Sequence, residues 1–119
     1  MSIKELNQIE KKIKRIKDKL MSMGEMRPGS LSKQYSRCGT LTCRCHDKNN
    51  PKKHGPYYQL SYVHRGKSSS QFIAKHSLLD TKMQINNYKV FKKLIDKWID
   101  LATSHAKLKM QMKRNEKLS

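Results

Sequence analysis

Cys38, Cys43 and Cys45 are the three cysteines of this 119-residue chain. They fall inside Cys38-Gly39-Thr40-Leu41-Thr42-Cys43-Arg44-Cys45-His46, and His54-Gly55-Pro56 follows shortly after. This cluster constrains the fold more than any other feature. Buried free thiols normally sit on apolar faces, whereas these are interleaved with Gly39, Thr40, Thr42, Arg44 and Asp47, a context too polar to bury without a metal. A disulfide fits poorly, because Cys43–Cys45 would close a very short ring and any pairing leaves one thiol over. Zinc takes four thiolate or imidazole ligands in a tetrahedron, and a turn-rich segment supplying three cysteines and one nearby histidine provides that shell. The C-x4-C-x-C spacing is not the paired C-x2-C knuckle, so it points to zinc without naming a known module. His54 is preferred to His46 as fourth ligand. His46 directly follows Cys45, and adjacent residues seldom reach one centre without strain, whereas a turn at Gly55-Pro56 can fold His54 back onto the loop. A solvent-facing side chain is the alternative for either histidine.

The chain suits one domain with a small core, with or without a helical appendage, so a metal would matter for its stability. A structural zinc contributes on the order of 10 kcal/mol of apparent folding free energy in small modules, comparable with a domain's whole net stability. No apolar run of spanning length and no signal-peptide core is present, so a cytoplasmic protein with reduced cysteines is expected.

Net charge is +18, from 27 basic and 9 acidic residues. Residues 29–76 carry nine basic side chains and one acid, and so have almost no counter-charge. Such a field attracts polyanions, with counterion release as the usual source of affinity. A membrane surface is a poorer match, because the basic residues are not gathered on one helix face opposite large aromatics.

The chain reads as three segments. In residues 1–25, Leu6, Ile9, Ile13, Ile16, Leu20 and Met23 recur at steps of three and four, an amphipathic, coiled-coil-like helix stopped by Gly24 and Pro28-Gly29. In residues 26–76, Leu31 to Arg37 alternates as a short strand into Cys38, with a helical turn as the alternative there, Tyr57–Val63 reads as a strand, and Ser68–Ile73 returns after a His64-Arg65-Gly66-Lys67 turn. In residues 77–119, Leu78 to Met112 is a second helix with Ile85, Tyr88, Phe91, Ile95, Trp98, Ala102, His105 and Leu108 on one stripe. Leu94, Ile99 and Leu101 widen that stripe, and the basic tail from Lys107 is expected to fray. The fold class is α+β: an N-terminal amphipathic helix, a zinc-stapled loop with a small antiparallel hairpin or three-stranded sheet, and a long C-terminal helix.

The order Met26-Arg27-Pro28-Gly29-Ser30-Leu31, Tyr35, Arg37-Cys38-Gly39, Cys43-Arg44-Cys45, Lys53-His54-Gly55-Pro56-Tyr57-Tyr58 and Leu60-Ser61-Tyr62 resembles an uncharacterised family of small prokaryotic proteins, a domain of unknown function. The resemblance covers roughly residues 26–100. It implies that the three cysteines and the histidine before Gly-Pro act as one unit, which favours Cys38, Cys43, Cys45 and His54. It supplies no activity, though the family's multicopy, mobile-element-associated character fits nucleic-acid business.

Catalysis is not expected. A catalytic zinc keeps an open position beside a general base, whereas four protein ligands fill this shell and only Asp47 is close. Magnesium nuclease chemistry needs clustered carboxylates, which residues 29–76 lack. Tyr57, Tyr58 and Tyr62 alternate in a strand, where packing is the default role. The expected function is a zinc-binding, nucleic-acid-binding accessory or regulatory factor, with DNA favoured over RNA. Arg37, Arg44, Lys52, Lys53, Arg65, Lys67, Ser69 and Gln71 are its contact residues: Arg and Lys hold phosphates, and Ser and Gln meet base edges in the major groove. Exposed tyrosines would instead stack on unpaired bases and argue for single strands. The alternative is a helical adaptor whose helices form a homodimer or dock on a partner, the charge being incidental.

Overall fold

The computed structural model describes residues 2–118, built as α1 (Ser2–Ser22), β1 (Ser30–Ser36), β2 (His54–His64), β3 (Lys67–Ile73) and α2 (Leu78–Leu118), with short 3₁₀ turns at Arg44–His46 and Lys75–Ser77. The strands form one antiparallel sheet in the order β1-β2-β3. This is the expected α+β arrangement with the three-stranded form of the sheet. The chain divides into two compact units, one of residues 25–86 and one of residues 1–24 with 87–119, so the boundary falls within α2.

In the unit of residues 25–86, the register decides which side chains meet. Leu31 pairs with Leu60, and Leu60 in turn with Gln71, while Tyr58 pairs with Ile73. Successive strand residues alternate between faces. Leu31, Tyr58, Leu60, Tyr62 and Ile73 therefore share the face that packs on Ile85 of α2, with Leu60 fully buried at the centre. Thr81, on the same first turns of α2, is buried with its hydroxyl donating to the Ser77 carbonyl at 2.8 Å. The segment before β1 is tied to the helix by Arg27 N–H donating to the Gln84 carbonyl. Gly29, at φ +133°, lies so close to the core that an added Cβ would meet Leu60 Cδ1 at 2.7 Å. The β2–β3 turn has Arg65 at φ 52° and Gly66 at φ 76°. Positive φ at both central residues is the two-residue hairpin turn whose twist matches the flanking strands.

In the other unit, α1 and the later part of α2 run antiparallel. Glu10 Oε1 accepts from His105 Nε2 at 2.9 Å, and seven residues further along α1 the Lys17 ammonium lies 5.2 Å from the Trp98 ring centre, seven residues back along α2. Ile16 and Leu94 are buried. The apolar seam of α1 is thus engaged within the chain. Ile99 does not widen the stripe as expected, being 57% exposed. Its position on the helix turns it away from the Leu94–Trp98–His105 line that faces α1. The basic tail is helical through Leu118, since residues 107–118 contain neither Gly nor Pro and are rich in good helix formers. Among the described residues no helix is long and apolar enough to cross a membrane.

Candidate metal centre and the sheet faces

Residues 37–53 form the long connection between β1 and β2, and apart from the 3₁₀ turn at Arg44–His46 they contain no regular element. A loop of that length inside a small unit needs something to hold it. Two turns shape it: Cys43 N–H donates to the Thr40 carbonyl, and His46 N–H donates to the Cys43 carbonyl. These bring Cys45 under Cys38, whose backbone N–H points at the Cys45 sulfur at 3.3 Å.

His54 arrives by a different route from the one the sequence suggests. It is the first residue of β2, paired with Ser36 across an irregularity between Gln34 and Ser36. Strand pairing, rather than a turn folding back, sets His54 beside Arg37 and Cys38. Gly55 follows at φ +137°, and an added Cβ there would lie 2.8 Å from the Gln34 carbonyl oxygen, so the crossing of β1 and β2 has no room for a side chain.

The ligand atoms of Cys38, Cys43, Cys45 and His54 all lie within 4.8 Å of one another. Cys38 and Cys45 Sγ are 3.6 Å apart, and Cys43 Sγ is 3.2 Å from His54 Nε2. A tetrahedron with metal–sulfur bonds of about 2.3 Å has edges of roughly 3.7 Å, so the cluster is of the size a metal ion requires. The sulfurs are far beyond bonding distance, and all three cysteines are free. The four side chains can therefore hold a metal ion. His46 is engaged elsewhere: its Nε2 lies 2.6 Å from the Cys38 carbonyl oxygen, so the ring braces the backbone of a ligand residue.

The electrostatics suit a cation. The Cys38 thiol is lowered to about 6 by the backbone of Thr40 and by His54, and Cys43 is lowered chiefly by the backbone of Cys45. Burial pushes Cys45 up. His54 is raised by its contacts with Cys38 and Cys43. An imidazole shifted toward its cationic form beside thiols shifted toward thiolate marks a site that favours positive charge among its sulfurs, as a divalent ion would supply.

The eight expected contact residues fall into three groups. Arg37, Arg44, Lys52 and Lys53 are exposed around the cysteine loop, and Arg65 and Lys67 are exposed at the hairpin tip. Ser69 and Gln71, expected at base edges, lie on the Leu60 face of the sheet, where Gln71 Oε1 accepts from the Arg27 guanidinium at 3.0 Å. Strand alternation separates them from Ser68 and Ser70, which the sequence presents as one run. The opposite, open face carries Ser30, Ser32 and Gln34 of β1, Tyr57, Gln59, Ser61 and Val63 of β2, and Ser68, Ser70 and Phe72 of β3. Phe72, which no sequence argument singled out, is 70% exposed there. The available signal was that Phe72 and Ile73 are adjacent in one strand, so only one can face the core.

The chain matches no curated protein and no solved structure. A family model does match residues 6–83, taking in most of α1, the whole sheet, the cysteine loop and the first turns of α2. The chain, with its three cysteines and His54 gathered at one end of a three-stranded sheet, belongs to the family described as domain of unknown function DUF6788.

Proposed function

We propose that this protein is a small nucleic-acid-binding module stapled by zinc, serving as an accessory or regulatory factor rather than as a catalyst. The zinc assignment follows from the donor set. Three thiolates and an imidazole are soft to borderline ligands that suit zinc, whereas magnesium, calcium and manganese favour oxygen, and no carboxylate belongs to the cluster. Four protein ligands close the shell, the pattern of a structural ion. When bound, the ion would cross-link the β1–β2 connection to the first residue of β2.

The observation that carries nucleic-acid binding is the charge of the sheet unit. None of the three strands contains an acidic residue, and exposed Arg37, Arg44, Lys52 and Lys53 at one end of the sheet and Arg65 and Lys67 at the other flank it with positive charge. Phosphates spaced along a strand meet such an array at both ends. The helical-adaptor reading draws on the seam of α1, which is packed against α2 inside the chain.

The test is binding of labelled oligonucleotides to the full chain by fluorescence anisotropy across a salt series, with metal content measured on the same sample. Affinity should fall steeply with salt, and Arg65→Glu with Lys67→Glu should weaken it and flatten the slope by about one for each phosphate no longer neutralised. Charge reversal at Lys107 and Lys109 on α2 should change binding less. Salt-independent binding, or equal weakening by both pairs of variants, would overturn the assignment of the interface to the sheet unit.

A further inference from the structure

We infer that the open face of the sheet is a base-stacking platform for single-stranded nucleic acid, with Tyr57 and Phe72 as its two stacking rings. This rests on the nucleic-acid reading above and names the form of nucleic acid it takes.

The tyrosines of β2 divide by register. Tyr58 and Tyr62 pack against the Leu60–Ile73–Ile85 core, whereas Tyr57 points to the other face and is 45% exposed. Phe72 lies opposite Gln59 on β3, which makes it the diagonal neighbour of Tyr57, two residues back along β2. Diagonal pairs on one face of a sheet are within reach of aromatic side chains. Both rings line one groove with Gln34 and Ser36 and a second with Lys75. Two large aromatic side chains left in water beside each other, at a cost in exposed apolar area, ask for a flat apolar partner.

The rest of the face suits a nucleobase. Gln34 Nε2 donates to Gln59 Oε1, which leaves the Gln34 carbonyl, the second Gln34 N–H and the Gln59 amide N–H groups to meet a base edge. Ser30, Ser32, Ser61, Ser68 and Ser70 keep the surface low, so a strand can lie flat across it. No carboxylate in the strands repels phosphate, and Lys75 borders the ring pair. A duplex offers these rings nothing comparable, since its bases are already stacked and show only their edges in the grooves. An unpaired base offers its whole face, and stacking on a protein ring is tolerant of sequence.

The test compares single-stranded pyrimidine oligonucleotides, one deoxyribose and one ribose, with a hairpin duplex of the same length on metal-loaded full-length protein. Either single strand should bind at least about tenfold tighter than the duplex, and the Tyr57→Ala, Phe72→Ala double variant should weaken single-strand affinity roughly tenfold to a hundredfold with little change for the duplex. Should the alanine variant lose its metal or its cooperative melt, Tyr57→Leu with Phe72→Leu keeps apolar bulk without the flat ring and should show the same weakening. Duplex preference, or unchanged single-strand binding by a folded variant, overturns the stacking platform and leaves the broader reading standing. No binding of any oligonucleotide overturns both.

Discussion

Cys43 Sγ and His54 Nε2 lie 3.2 Å apart, although one belongs to an irregular loop and the other opens a strand. That contact ties the middle of the β1–β2 connection to the first residue of β2. It explains why the sheet unit, whose buried core is little more than Leu60, Ile73 and Ile85 with their partly buried neighbours, is able to carry so long a loop.

The two histidines near the cysteines separate cleanly by mutation. His54→Ala should reduce bound zinc to well below one ion per chain, as should Cys45→Ser. His46→Ala should keep one ion per chain with affinity weakened by at most about 10- to 100-fold, the usual cost of removing a group that braces a ligand. Elemental mass spectrometry with a competing chelator measures both.

Metal affinity should fall as pH falls. Ligation needs thiolates and a neutral imidazole, so binding expels whatever protons the empty site holds. Cys45, pushed up by burial, and His54, raised by its cysteine neighbours, both bind protons more readily than the free groups and so compete with the metal. Cys38, at about 6, joins them only in more acid solution. The dependence should therefore steepen below about pH 6, as read by chromophoric chelator competition from about pH 8 to about pH 5.

Leu60→Ala removes the one core side chain held between both neighbouring strands and α2, and should destabilise by about 2–5 kcal/mol. Gly29→Ala should cost at least about 1–3 kcal/mol, because the backbone at φ +133° disfavours any side chain and the new methyl meets Leu60 and the Ser61 carbonyl. Denaturant melts at constant zinc concentration check both, since metal release would add to the effect.

In the helical unit the apolar contact should outweigh the polar one. Ile16→Ala should lower stability by about 2–5 kcal/mol. Removing the Glu10–His105 pair, whose carboxylate is exposed, should cost less than about 1 kcal/mol and depend on salt. Thermal melts of Ile16→Ala and His105→Ala provide the comparison.

Local chemistry made much of the protein legible in advance. The three-and-four spacing from Leu6 to Met23 marks α1 because a helix repeats every 3.6 residues, and Arg65-Gly66 marks the hairpin because its turn needs positive φ at two successive residues. The polar setting of Cys38, Cys43 and Cys45 marks a candidate metal loop because such thiols gain little from burial alone. What the sequence left open depends on partners distant along the chain. His54 reaches the cysteines through its pairing with Ser36, and no local turn signal encodes a pairing made across the whole loop. The assignment of Ser69 and Gln71 to the face that carries Leu60, and of Tyr57 and Phe72 to the opposite one, needed the strand register and the side on which α2 packs. Alternation along a strand says that neighbours part company; only the tertiary structure, by burying Leu60 against Ile85, decides which of them faces water.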